Sequence, residues 1–411
     1  MSSLSIANYF PFAGVKVVRQ AVHPDASGTL VYLEPDQRYR PRCHECGASG
    51  GQIHSKGHRR ILRDLAIADR HSYLQVEYRK VWCWSCGGVR VERLGFADAC
   101  CRVTQRLARY IYELCKELPI TSVAKHLGLD PKTVKAVDRM FLDEEFGATD
   151  ATGLTIMAID EIAVRRGHNY MTVVLDYQTG RVVWMGEQRT KDTLDSFFAK
   201  LTAEQKAGIQ AVAMDMWEPF INRVQHHCPA AKIVFDLFHL VSAFGHVIDE
   251  VRRSEYRKAN QPQRQVIKGS RYLLLSNVVN LKADQKASLK DLLAVNTTLA
   301  ATHALRDQFK EIYLYRRRGW AKKSLDAWCD MASQIDHPDV QRFVARLRRY
   351  EYGILNHCDF PIGTSKLEGV NNKIKVIKRK AYGFHDPEYF ALKVKQAFPG
   401  QSLPNFSGGE P

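Results

Sequence analysis

The spacing of apolar positions changes several times along the chain, and each spacing predicts an element. Between residues 10 and 36 apolar and polar positions alternate, as in Val15-Lys-Val-Val and Leu30-Val-Tyr-Leu, which predicts strands. From 103 to 142 the apolar residues return every three or four positions, first through Leu107, Ile111 and Leu114 and again after Ile120, which predicts helices. Gly128 suits a tight turn between two of these helices. Asp130 suits an N-cap and Pro131 the first helical position after it. Residues 154–236 switch to short apolar runs. Leu154–Ile159, Tyr170–Leu175, Arg181–Trp184, Ala211–Met214 and Lys232–Phe235 predict five strands, with a hairpin turn at Thr179-Gly180. One amphipathic helix, through Leu194, Phe197, Phe198 and Leu201, separates the third strand from the fourth. Another, Pro219 to Cys228, separates the fourth from the fifth. The order β-β-β-α-β-α-β predicts an α/β fold, a mixed sheet covered by helices. Residues 237–355 read as an all-helical insertion rich in Arg and Lys. A last helix starts near Ser365, and the Gly/Pro/Ser-rich end is a frayed tail.

Length and composition narrow the class. A chain of 411 residues holds two to four domains and a core that needs no stapling. With 45% hydrophobic and 25% charged residues it is neither disordered nor collagenous nor a bulk membrane protein. No window approaches the roughly 18 apolar residues of a membrane span. The first residues show no basic stretch followed by an apolar run, so no signal peptide is expected and the reducing cytoplasm is the expected compartment. Sixty Lys and Arg against 44 Asp and Glu leave a charge of +16, which points to a polyanionic partner. Residues 40–110 carry much of that excess.

Four of the ten cysteines form two pairs, Cys43/Cys46 and Cys83/Cys86, each a Cys-x-x-Cys followed by Gly. Four thiolates suit tetrahedral Zn²⁺, and such a closed shell is structural rather than catalytic. His44, His54 and His58 are the substitute ligands, and two unrelated thiol pairs or a disulfide are the plain alternatives. Lys56, His58, Arg59, Arg60 and Arg63 beside the pairs would suit phosphates or simply face solvent. Residues 120–140 fit a helix-turn-helix. Ala124 is small where the helices cross, and Val134 and Val137 face inward. Lys132, Thr133 and Lys135 lie near the start of the second helix, where they would meet a major groove. An ordinary helical hairpin has the same pattern.

Asp160 and Asp215 stand at the ends of the first and fourth predicted strands of the sheet, where a metal can reach them. Glu368 opens the helix near 365, in which Leu367, Val370, Ile374 and Ile377 would pack inward. Glu368, Asn372, Lys375 and Arg379 would share a neighbouring face. Three carboxylates together repel one another unless a cation neutralises them, and Mg²⁺ suits their hard oxygens. Asp160 and Asp215 could equally be turn residues, and Ser365-x-x-Glu368 could be a capping box. Asp176, Asp236 and Glu161 are rival ligands at similar positions.

Taken together, these motifs resemble the DDE transposases of bacterial insertion sequences, specifically the ISL3 family. The likeness runs over nearly the whole chain. Its most specific pieces are Ile159-Asp160-Glu161-Ile162-Ala163 with Gly167-His168-Asn-Tyr170, Met214-Asp215-Met216 and Phe235-Asp236-Leu-Phe238-His239. The last is Leu367-Glu368-Gly-Val-Asn371-Asn372-Lys373-Ile-Lys375, leading into Arg379-Lys-Ala-Tyr382-Gly383-Phe384. The resemblance implies an RNase H-like core whose triad Asp160, Asp215 and Glu368 binds Mg²⁺ or Mn²⁺. It implies that the helical stretch interrupts that core between the second Asp and the Glu. Asp236-x-x-His239 resembles an auxiliary element of some such families, and a structural histidine is the alternative. Trp217-Glu218 departs from the small or polar residues expected after Asp215.

The domains expected are a zinc-binding DNA-binding domain (1–100), a helix-turn-helix (101–150), the first part of the core (151–240), the insertion (241–360), the final core helix with Glu368 (361–400) and a tail (401–411). The implied function is metal-dependent cleavage and strand transfer. Its partners would be double-stranded DNA, both terminal inverted repeats and target. A homodimer or larger synaptic complex, associated with the bacterial nucleoid and with no membrane, is the implied working form. A DNA-binding regulator with an inactive core and a nuclease that cuts without joining are the alternatives.

Overall fold

The computed structural model describes residues 7–23, 28–49, 51–67, 69–98, 101–165, 169–276, 278–362 and 365–400. Expectations for the tail, for Gly167 and His168, and for the side chains of Ser365, Leu367 and Glu368 lie outside the described residues. The chain divides into two compact units, one up to Glu145 and one from Phe146.

The first unit is built on β1 (Val15–Val22), β2 (Gly28–Pro35), β3 (Gln52–Ile67), β4 (Arg70–Cys83) and β5 (Gly88–Val91). The strands run β1-β2-β4-β3, with β5 also paired to β4. The long β3–β4 hairpin is not among the predicted strands, because its many cations mask the alternation. Leu62, Leu74, Val76 and Val81 are nonetheless buried in it, and together with Phe10, Val31 and Leu33 most of them form one apolar core. Helices α1 (Gln105–Glu117), α2 (Ile120–Leu127) and α3 (Pro131–Phe146) follow. Asp64, on β3 and buried, ties α1 to this sheet. It accepts from the Thr104 hydroxyl at 2.7 Å and from Arg106 Nε at 2.8 Å, and Arg106 Nη2 pairs with its other oxygen. Gly128 ends α2 in the left-handed region (φ +62°). A Cβ there would stand 3.1 Å from His71 Nε2 on β4, so both backbone and space call for glycine. Asp130 Oδ1 accepts from the Lys132 and Thr133 amides at 2.8 and 3.4 Å, as expected of an N-cap.

The second unit carries β6 (Ile156–Arg165), β7 (Asn169–Asp176), β8 (Val182–Glu187), β9 (Ala211–Met214) and β10 (Lys232–Phe235), in the order β10-β9-β6-β7-β8. The pairs β6–β7 and β7–β8 are antiparallel; β9 runs parallel to β6, and β10 parallel to β9. Alternate residues of each strand divide between two faces. On one, Met157, Ile159, Val174 and Trp184 pack under α4 (Lys191–Phe198) and α6 (Glu218–His227), with the short α5 (Ala203–Ala207) between them in sequence. On the other, Ala158, Ile162, Val173 and Leu175 pack under α15 (Ser365–Lys380) and α16 (Pro387–Ala397), through Val370, Ile374, Phe390 and Val394. The last helix is therefore α16, which the sequence reading missed, and not the helix bearing Glu368.

Between β10 and α15 the chain is helical: α7 (Leu237–Lys258), α8 (Gln261–Ile267), α9 (Arg271–Leu275), α10 (Ala283–Val295), α11 (Thr297–Glu311), α12 (Arg318–Ser333), α13 (Pro338–Arg349) and α14 (Glu351–Leu355). The array returns to the strand it left. Asn356 Nδ2 donates to the Ile233 carbonyl at 2.8 Å, and the Tyr313 hydroxyl donates to that of Phe235 at 3.0 Å. A Cβ on Gly353 would stand 2.3 Å from the Phe235 ring, so the missing side chain on α14 makes room for the ring from β10. No described helix is long and apolar enough to cross a membrane.

Candidate active site

Strand direction assembles the carboxylates. Asp215 directly follows β9, and Asp236 directly follows β10. Asp160 lies within β6 rather than at its end, because hairpin pairing with β7 carries that strand on to Arg165. Parallel pairing of β6 with β9 stops at Ala158, however, so Asp160 stands just past the paired stretch. In parallel strands the carboxyl ends share one edge, the usual place for a site. Asp176 is at the other end. It is buried in the β7–β8 turn, accepting from the Gln178 amide at 3.0 Å and the Thr179 hydroxyl at 2.7 Å, which removes it as a rival ligand.

Asn371 of α15 donates from Nδ2 to Asp160 Oδ2 at 2.5 Å. Glu368 lies one helical turn earlier on α15. His239, near the start of α7, places Nε2 3.7 Å from Asp160 Oδ1 and 3.8 Å from Asp236 Oδ2. Asp236 caps α7 by accepting the Phe238 amide at 2.7 Å. Arg189, beyond β8, pairs with Glu161 Oε1 through Nε and with Asp215 Oδ2 through Nη2, both at 2.8 Å. Its guanidinium lies 4.3 Å from the centre of the Trp217 ring, so the unexpected tryptophan after Asp215 is a shelf for this cation.

One guanidinium serves two carboxylates here, and the electrostatics show the shortfall. Burial first, then the Asp215 charge, pushes Glu161 from its ordinary 4.5 up to about 8, despite Arg189. Burial also raises Asp215, against the pull of Arg189 and His239. Asp236 is raised by burial, against His239. Among the described residues only the four cysteines bring three or more metal-ligating atoms together, so what these hard oxygens share here is a shortage of positive charge.

The remaining expected residues are placed less closely. Asn372, Lys375 and Arg379 are exposed on α15, and it is Asn371 that meets Asp160. Asn371 could have been found by helix arithmetic, three positions after Glu368. Arg189 has no local signal, since its partners are distant in sequence.

In the first unit the four cysteines converge. The Cys43–Cys86 and Cys46–Cys83 sulfurs are 3.9 and 3.5 Å apart, and all four lie within 4.8 Å of one another. A tetrahedral site with Zn–S of about 2.3 Å needs sulfurs about 3.8 Å apart, whereas a disulfide needs about 2 Å. Gly47 and Gly87, at φ +72° and +64°, turn the chain after each second cysteine. A hydrogen bond from the Cys86 amide, with further ones from the other thiols, holds the Cys83 thiol down, while the same thiol contacts push Cys86 up, so without a cation the four sulfurs share their protons unequally. Arg59 and Arg60 are successive residues of β3, so they point to opposite faces of the sheet and cannot share one phosphate row. Arg59 is exposed near Glu77, and Arg60 donates to the Asp98 carbonyl at 3.2 Å. In the helix pair Val123, Ala124, Val134 and Val137 are buried, Lys132 is exposed, and Thr133 and Lys135 are half-buried.

Comparison with known proteins agrees with this layout. A family model described as a transposase of the ISL3 type matches residues 157–394, and the helix-turn-helix domain of transposase family ISL3 matches 92–141. The chain is 39% identical over 393 residues to the transposase for insertion sequence element IS1001 of Bordetella parapertussis, covering 95% of this chain and 96% of that one. It is 26% identical over 388 residues to the transposase for IS1557 of Mycobacterium tuberculosis, covering 89% and 87%.

Proposed function

Because the chain belongs to the ISL3 family of transposases and is a DNA transposase of the insertion-sequence type, we propose that Asp160, Asp215 and Glu368 are its catalytic triad. The observation that carries this is the meeting of the Glu368-bearing helix with Asp160, through Asn371, at the edge where Asp215 ends its strand. The second unit is read as an RNase H-like core: three antiparallel strands joined by two parallel ones, interrupted by the helical array. Mg²⁺ or Mn²⁺ held by the triad would supply an activated water and neutralise charge building on the scissile phosphate. Asn371 fixes one oxygen of Asp160, and Arg189 orients Asp215. His239 faces both Asp160 and Asp236 as an auxiliary group. Asn372, Lys375 and Arg379 present donors and charge to the strand being cut.

The reaction is hydrolysis of one phosphodiester at the element's end, followed by attack of the freed 3′-OH on target DNA. Hydrolysis leaves a 3′-OH and a 5′-phosphate, and the attack then trades one target phosphodiester for a new one with release of the target's 3′-OH, so neither ATP nor a covalent protein–DNA link is needed. The first unit would bind the terminal inverted repeats, with Lys132, Thr133 and Lys135 at the major groove and zinc held by Cys43, Cys46, Cys83 and Cys86. Two ends must be joined to one target, which calls for a homodimer or larger complex acting in the bacterial nucleoid.

Labelled DNA carrying the element's terminal repeats, incubated with the protein and Mg²⁺, tests the reading. Nicking at the element boundary is expected, with at least a hundredfold loss in Asp160→Asn and Glu368→Gln and unchanged repeat binding. Equal cleavage by both variants would refute the triad. Cleavage without joining to a target plasmid would make the protein a nuclease instead.

A further inference from the structure

A cleft of about 540 Å³ opens beside the carboxylates, within the roughly 300–1,000 Å³ of sites that take small organic groups. Its apolar floor includes Met171, Phe384 and Phe390. Its polar wall is the consecutive run Gln188, Arg189, Thr190. Arg189 belongs to both places, since it lines the cleft while its guanidinium holds Asp215 and Glu161. Whatever occupies the cleft therefore lies next to the scissile bond, if the carboxylates act as proposed above.

Two backbone features mark the same neighbourhood. Gln188 is held in the left-handed region at φ +70°. Its amide donates to the Tyr170 carbonyl at 2.8 Å, and its carbonyl accepts from the Thr172 hydroxyl at 2.8 Å. A non-glycine residue is placed there at a conformational cost, and the side chain goes to the cleft wall. Tyr382 is the other described non-glycine residue with positive φ, at +55°. It is 94% exposed, an extreme value for an aromatic side chain, and sits two residues before Phe384. The turn Ala381-Tyr382-Gly383-Phe384 thus sends one aromatic ring to solvent and another into the cleft floor. It directly follows the cations Lys378, Arg379 and Lys380 of α15.

We propose that the cleft receives a single nucleobase swung out of the DNA duplex beside the cleaved bond, and that Tyr382 stacks on the bases left behind. The class of ligand follows from the walls. A flat group with a hydrogen-bonding edge suits an aromatic and thioether floor facing the Gln188 side-chain amide, since the Thr190 hydroxyl is taken by Thr193 and the Arg189 guanidinium holds Glu161 and Asp215. The ligand arrives attached to a phosphate backbone, which the basic end of α15 draws in. The unpairing cost is partly offset by stacking on protein rings, and an exposed ring is available to fill the gap in the helix.

The test uses the full chain and repeat duplexes in which each nucleotide around the boundary is made abasic in turn. Val164→Trp fills the cleft from β6, and Tyr382→Asn removes the exposed ring while keeping a residue that tolerates positive φ. On the intact duplex each variant is expected to cut roughly tenfold or more slowly. An abasic nucleotide at one particular position should restore both variants to the wild-type rate, because no base then needs a cleft or leaves a gap. Binding without divalent metal is a second readout. A mismatch at that same position should tighten wild-type binding severalfold and leave Val164→Trp unchanged. Wild-type cutting by both variants, or a loss that is uniform across all abasic positions, overturns the proposal. A wild-type chain that cuts no duplex counts against the cleavage reading and for a regulator with an inactive core, and the binding comparison still decides this proposal.

Discussion

Glu161 ties the stability of the second unit to pH. In the folded chain it keeps its proton up to about pH 8, whereas an ordinary glutamate releases it near 4.5. Between those values the folded state binds a proton that the unfolded chain has lost. Raising the pH therefore drains stability; the loss begins near 4.5 and is complete above about 8. At about 1.4 kcal/mol per pH unit, the penalty at pH 7 is about 3 kcal/mol. Its side chain is only 10% exposed, so solvent screening reduces this figure little. Glu161→Gln keeps an oxygen for Arg189 and has no proton to lose. With Mg²⁺ and Mn²⁺ dialysed away and zinc retained, hydrogen exchange at the β6–β7 amides is the assay, since it reads this sheet apart from the first unit. Wild-type protection, corrected for intrinsic exchange, should fall from pH 5.5 to 7.5, and the variant should hold steady and exceed wild type at the higher pH. Identical pH profiles would show that neither burial nor the neighbouring carboxylates hold this proton.

Two further outcomes concern the first unit. Cys46→Ser should lower bound zinc from one per chain and abolish repeat binding, with β6–β7 exchange unchanged; elemental analysis and gel shift read both. Asp64→Ala removes a buried carboxylate that joins β3 to α1 and leaves Arg106, one-third exposed, able to turn to water. A loss of about 3 kcal/mol is expected in urea unfolding of this unit, and a loss below about 1 kcal/mol would mean that Asp64 does not hold the helices to the sheet.

The legible parts of this molecule are those whose signals are local. Strands β9 and β10 have the limits their apolar runs predict, and Asp130 caps α3 from three residues of sequence. The cysteine pairs announced their meeting by spacing alone. Reading failed where context decides. In β3 and β4 many outward positions carry Arg, Lys, Glu or His, so the alternation of a hairpin does not stand out from the sequence. Asp160 looked like a strand end because the apolar run stops there, but pairing with β7 continues past it. Arg189 and Trp217 meet only after two helices and a strand have packed, which no window of sequence contains.

The closed root of the helical array bears on how such a protein can change. The chain departs after Phe235 and returns through Gly353 and Asn356 to the same strand, with Tyr313 fastened to its last carbonyl. To the sheet, the whole excursion is equivalent to a short loop with neighbouring ends. Helices α8 to α10 can then be lengthened, shortened or exchanged over generations without altering the spacing of Asp215 and Asp236. The root is therefore a port through which foreign helical modules can be grafted at the bench without moving the strands on either side of it.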